Sequence, residues 1–143
     1  MITSREVRLK SRPVGMPQPA NFEITSVEVP APAAGEVQVR NLYMSVDPYM
    51  RGRMMDRKSY AAPFNVGEAM YGGAVGKVVA SNAPALKEGD LVQSMLGWRE
   101  VFNAPAKSIQ KLPDVGLPPQ AFLGVAGMPG LTAYVGLLRI AAL

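Results

Sequence analysis

The 143-residue sequence has neither cysteine nor histidine. That double absence excludes a disulfide framework, a catalytic thiol and an imidazole general base. It also excludes a zinc site built from thiolate and imidazole ligands, leaving only carboxylates, which suit that metal poorly. Long apolar runs are missing as well. Nothing approaches the roughly 18 consecutive apolar residues that signal a membrane-spanning helix. The N-terminus, Met1 to Lys10, has no apolar core of the kind a secretory signal carries, so the expected location is the cytoplasm. Charge of one sign is modest: 15 Lys and Arg against 11 Asp and Glu, a formal +4. No basic stripe interleaved with aromatics points to nucleic acid. Arg51, Arg53, Arg57 and Lys58 form the one basic cluster, suited to an anionic ligand or simply to a solvated face.

What is present is a globular composition. Hydrophobic residues make up 48%, with 14 glycines and 13 prolines spread through the chain. That mixture favours many short strands joined by turns over long helices. Val7 and Leu9 alternate with charged neighbours as in a half-buried strand, and Val37 and Val39 do so most cleanly. Phe22 and Ile24, then Val27 and Val29, suggest a strand with a slip in phase near Ser26, read as a bulge. Asp47-Pro48 reads as a helix start, with Asp47 capping and Pro48 in the first turn. Residues 55–67 read as a mobile surface loop. Tyr71 to Ser81 reads as a strand, Lys87-Glu88-Gly89-Asp90 as a turn, and Val101-Phe102 and Ser108 to Leu112 as further strand. Pro118 to Leu123 opens a short helix. Many short strands of this kind argue a small, mainly β barrel.

Gly72-Gly73-Ala74-Val75-Gly76-Lys77 fits neither nucleotide-binding pattern. Tyr71 stands where a phosphate-binding loop or a dinucleotide fingerprint needs its first glycine, and Val78 follows the lysine where Ser or Thr is required. A closely packed strand is the better account.

Gly127-Met128-Pro129-Gly130-Leu131-Thr132-Ala133-Tyr134-Val135-Gly136-Leu137-Leu138 starts a helix at Pro129. Its stripe of Leu131, Tyr134, Val135 and Leu138 asks for a surface to pack on, so the expectation is the front part of a larger protein. With Asn41-Leu42-Tyr43-Met44-Ser45-Val46-Asp47-Pro48-Tyr49-Met50-Arg51-Gly52-Arg53-Met54, this segment resembles the medium-chain dehydrogenase/reductases. The likeness is to their zinc-free branch, which holds leukotriene B4 12-hydroxydehydrogenase, the prostaglandin reductases and curcumin reductase. It runs from about Arg5 to Leu138 and takes in Gly72 to Val79 and Glu88 to Val92.

The resemblance implies a GroES-like, partly open β-barrel with short helices over 1–126, and the start of a linking helix over 127–143. It implies a separate Rossmann domain, absent from these residues, and NADP(H) as cofactor of the complete protein. A zinc-dependent relative has Cys where Met128 falls and another ligand near Asp47, so no metal is expected. The implied reaction reduces the carbon–carbon double bond of an α,β-unsaturated ketone or aldehyde, and a hydrophobic enone or alkenal is the implied partner. Negative charge then builds on the carbonyl oxygen and calls for a hydrogen-bond donor. With no histidine available, Tyr49 is the expected donor, since a phenol of ordinary pKa about 10 keeps its proton at neutral pH. Met128 and Thr132 are implied contacts of the nicotinamide. Tyr49, Met95, Leu96 and Trp98 are the expected substrate wall. The plain alternatives are core packing for Met95, Leu96, Trp98, Met128 and Tyr49, a turn cap for Asp47, and a bond back to the helix for Thr132.

Two functions follow. One is the substrate-side domain of such a reductase, inactive as this piece alone. The other is a free-standing binding module that self-associates through its last helix, without catalysis.

Overall fold

A computed structural model describes residues 1–59 and 61–142. Tyr60, within the loop expected over 55–67, and Leu143, at the end of the 127–143 segment, lie outside the described residues.

The alternating segments become strands, as expected from their period. β1 (Ile2–Leu9) and β2 (Phe22–Val29) form a two-stranded antiparallel sheet. β3 (Glu36–Met44), β4 (Ala74–Ser81), β5 (Leu91–Ser94), β6 (Val101–Pro105) and β7 (Gln110–Lys111) form a second sheet in the order β6-β3-β4-β5-β7. Among the described residues all pairings between these strands are antiparallel, and the barrel is not closed. The helices are short: α1 (Pro48–Arg53) and α2 (Met128–Val135), the latter continued by a wider π-type turn over Gly136–Ile140. The mainly β, GroES-like expectation therefore holds. Among the described residues no helix is long and apolar enough to cross a membrane.

Val37, Val39, Val78, Val92 and Phe102 fill the inside of the five-stranded sheet. Leu9, Met50, Met54, Phe64 and Met70 form a second apolar cluster beneath β1 and α1. Phe64 is buried within 55–67, and its N–H donates to the Arg53 carbonyl (2.7 Å), so that stretch is not all surface loop.

Three local expectations need correction. β2 pairs with β1 in unbroken register from Phe22 to Val29, with no bulge at Ser26. The strand keeps one phase by leaving Ile24 71% exposed. The irregularities lie instead in β3, between Gln38 and Val39 and between Asn41 and Tyr43. Asp47 occupies the cap position of α1, but its side chain makes no cap hydrogen bond. Its Oδ1 accepts from Ser45 Oγ at 2.8 Å, and the Met50 N–H is met by the Asp47 backbone carbonyl (3.0 Å). The strand expected from Tyr71 starts only at Ala74; Gly72 instead makes an isolated parallel bridge to Leu96, its N–H donating to the Met95 carbonyl (2.9 Å).

Candidate substrate and cofactor cleft

Tyr49 and Met50 are neighbours on a six-residue helix, and the ends of both side chains reach the chain at Gly72. Met50 is 2% exposed in the apolar cluster, and Tyr49 packs against that cluster while bordering a cleft. Gly72 allows this close seat. A Cβ there would lie 2.2 Å from Met50 Cε and 3.4 Å from the Tyr49 hydroxyl oxygen. The phenol therefore sits over the chain entering β4.

The cleft encloses about 570 Å³. Tyr49, Pro48 and Asp47 line one side, Gln93 of β5 and Met95 another. The third side is Phe122 and Leu123, from a 3-10 turn over Pro119–Leu123, with Met128 and Pro129 at the start of α2. Glycines set that side too. A Cβ on Gly130 would lie 1.7 Å from the Val125 carbonyl oxygen, and one on Gly127 2.1 Å from that of Phe122. The start of α2 is thus pressed directly onto the preceding turn. The walls are mainly apolar, with a phenol and a few polar groups at the rim, which is the usual make-up of a small-molecule site.

Of the expected site residues, the fold brings Tyr49, Met95 and Met128 around one space. The others lie elsewhere. Leu96 packs against the cluster inside the five-stranded sheet. Trp98 adopts φ 62°, a left-handed conformation rare for a bulky residue. Its ring packs against the cluster beneath β1 and borders a different depression, with Val7, Ile24 and Met44. Thr132 lies one turn beyond the cleft, and its hydroxyl donates to the Met128 carbonyl at 2.8 Å. That bond spends its proton and leaves lone pairs, so toward a carboxamide it can only accept. Phe122, Leu123 and Gln93 line the cleft without having stood out in the sequence. Only the fold carries them there, since their spacing from Tyr49 has no local pattern.

Tyr49, Pro48, Arg53 and Ala61 also border a second depression of about 710 Å³, which continues past Arg51, Met55, Arg57 and Ser59. Arg53 is held firmly. Its guanidinium lies over the rings of Phe64 (4.6 Å) and Tyr71 (4.1 Å), donates to the Ala62 carbonyl (2.8 Å) and bonds the Tyr71 hydroxyl. Among the described residues, no three His, Cys, Asp or Glu side chains gather as a metal site.

Residues 5–112 match the family model described as the N-terminal domain of oxidoreductase. The chain belongs to that family. It is 46% identical over 132 residues to the NADPH-dependent curcumin reductase of Escherichia coli, covering 92% of this chain and 38% of that protein. It is 37% identical over 140 residues to the NADP(+)-dependent 2-alkenal reductase of Nicotiana tabacum, covering 94% and 41%. The solved structure of CurA in complex with NADPH from Vibrio vulnificus superposes with a TM-score of 0.85 at 46% identity, covering 94% of this chain and 40% of that one. The expected kinship with the curcumin reductase branch holds. The chain spans about 40% of the length of the relatives it matches.

Proposed function

We propose that this chain is the substrate-side domain of a zinc-independent, NADPH-dependent reductase acting on the carbon–carbon double bond of α,β-unsaturated ketones and aldehydes. The observation that carries the reading is one cleft in which the Tyr49 phenol borders an apolar wall of Met95, Phe122, Leu123 and Met128. The names of the relatives support the cofactor and the substrate class.

NADPH, when bound, supplies the hydride that reaches the β-carbon. The domain's own residues bind and orient the substrate, and the proton that completes reduction at the α-carbon comes from water. Met128 and Pro129 would offer a soft, flat apolar surface to a nicotinamide ring, and Thr132 Oγ1, one turn further along, would accept from its amide. Met95, Phe122 and Leu123 hold the hydrocarbon part of the substrate and displace water. Tyr49 Oη donates a hydrogen bond to the carbonyl oxygen as that oxygen gains charge.

Alone, the domain does not turn over. Its Ala74–Lys77 stretch packs as strand and offers no phosphate cradle: a Cβ at Gly76 would meet the Arg40 carbonyl oxygen at 2.6 Å. Holding the cofactor ring in reach depends on the phosphate and adenine contacts of a second domain.

The test is a chimera in which this chain replaces the matching segment of the Escherichia coli curcumin reductase. Oxidation of NADPH on addition of an enone, with none from the isolated domain, is the expected result. One observation favours a second reading. Leu131, Tyr134, Leu137 and Leu138 are each half-exposed on α2 and its continuation, a face for a second copy of the chain. An inactive chimera together with a dimer of the isolated domain would select that reading.

A further inference from the structure

On the cleft wall Gln93 carries a side-chain amide that makes no hydrogen bond among the described residues. It lies on β5, where strand alternation sends Ser94 to the buried side and Gln93 and Met95 to the cleft. Its backbone pairs with Val75 of β4 and Gln110 of β7, which fixes where the side chain starts. Neighbouring polar groups of the cleft are committed elsewhere. Ser45 Oγ donates to Asp47 Oδ1 (2.8 Å), and Arg53 is held by the Ala62 carbonyl and by the rings of Phe64 and Tyr71. The wall beside Gln93 is otherwise apolar, made by Met95, Phe122 and Leu123. An amide in such a place is solvated only while the cleft holds water. A hydrophobic substrate that displaces this water strips the amide, and the loss is offset only where the substrate supplies a partner.

The position of Tyr49 says which substrate atom that is. Its hydroxyl oxygen lies 3.4 Å from where a Cβ on Gly72 would be, and Gly72 precedes Val75, the partner of Gln93, by three positions. Three residues of extended chain span about 10 Å. Two hydrogen bonds of about 2.8 Å to one shared atom, together with the length of the glutamine side chain, cover that gap. A carbonyl oxygen has two lone pairs, and the phenol takes one of them. We infer that Gln93 is a second catalytic donor, its Nε2–H hydrogen-bonding the substrate carbonyl oxygen beside Tyr49. This rests on the reading of the cleft as an enone site. As hydride reaches the β-carbon, the double-bond electrons shift toward the carbonyl and its π pair moves onto oxygen. Donors from α1 and from β5 then share that charge. The amide keeps its protons throughout, so Gln93 stabilises the enolate without protonating it.

The probe is benzalacetone, an aryl enone, isotopically labelled at its carbonyl carbon. Its carbonyl stretch is read by difference infrared spectroscopy when bound to the 143-residue chain, and its reduction by the chimera is followed in parallel. Gln93→Met keeps the length of the side chain and removes the donor; Gln93→Glu keeps its shape and puts a negative charge there. In the chimera Gln93→Met should lower kcat by roughly 10²-fold with little change in KM, and Gln93→Glu should lower it further. On the isolated chain the bound stretch should rise in Gln93→Met, rise in Tyr49→Phe, and rise most in the double variant, because each removes one bond that weakens the carbonyl. A residue that only packs moves KM and leaves the stretch alone. The inference is overturned if Gln93→Met leaves both kcat and the stretch unchanged, if its effect falls on KM alone, or if Gln93→Glu reduces the enone as fast as the unaltered chimera. A chimera that reduces benzalacetone at full rate with Gln93→Met would keep the enone reading and end the second donor. A bound stretch that depends on Gln93 in a chimera with no reduction would keep the contact and end the enone reading. Failure of the unaltered chain and chimera to bind the probe would end both.

Discussion

At the scale of single residues, Tyr49 owes its position to a glycine elsewhere in the chain. Gly72 leaves room for both the Met50 methyl and the phenol oxygen, which close on the place a Cβ would occupy. Tyr49→Phe keeps the ring and removes the donor. In the chimera it should lower kcat by roughly 10²-fold with little change in KM, because the lost bond strengthens only as charge develops. Steady-state kinetics on an enone decide it; an unchanged kcat would move the donor's role to a backbone N–H. Tyr49 was legible in the sequence through its motif, and so was Met128. Leu96 and Trp98 were not separable from Met95 by sequence. Three residues within four positions looked like one wall, but Gly97 packs under the Gly72 carbonyl and Trp98 turns over with positive φ, so only Met95 reaches the cleft.

Among the elements, period-two alternation disclosed the strands but not their exceptions. Gln38 lies between Val37 and Val39 and looked solvent-facing, yet it is 4% exposed. Its amide donates to the Pro30 carbonyl (2.8 Å) and Asn103 Oδ1 (3.0 Å), partners more than seven residues away that no local pattern discloses. The turn before β5 was legible because Gly89 supplies the positive φ it needs, 93°. What it holds was not. Asp90 accepts from the Lys87 N–H (3.0 Å) and pairs with Lys111 Nζ (2.8 Å), tying the entry of β5 to β7. The Lys111 bond, then the Lys87 N–H, hold its carboxyl below the ordinary aspartate range. A carboxyl with a lowered folded pKa adds stability above its unfolded pKa and loses it as pH falls through the folded one. Asp90→Asn should therefore lower stability at neutral pH, and the gap to the unaltered chain should close as pH drops below about 4. Urea denaturation at several pH values checks this. A gap that stays constant with pH would assign the effect to packing instead of charge.

Over the whole molecule, the two sheets meet along β1 and β6, and the joint is carried by a serine that looked unremarkable between Thr3 and Arg5. Ser4 is fully buried. Its hydroxyl donates to the Val101 carbonyl at 2.8 Å and accepts from the Val101 N–H at 2.9 Å. One small side chain thus satisfies both backbone groups of a residue 97 positions away. Arg5 and Glu100 add an ion pair beside it, at 2.5 Å, but their side chains stand 68% and 41% exposed, and solvent screens such a pair. The buried contact should dominate. Ser4→Ala leaves Val101 with an unmet donor and acceptor in a dry place, and should cost about 1–3 kcal/mol, against little for Arg5→Ala. Thermal unfolding of the two variants compares them directly. Neither residue borders the Tyr49 cleft, so binding of an enone below the unfolding transition should be unchanged in both. A destabilised Ser4→Ala protein that also loses the ligand would mean that the joint sets the cleft's shape, and that the sheets move as one body with α1.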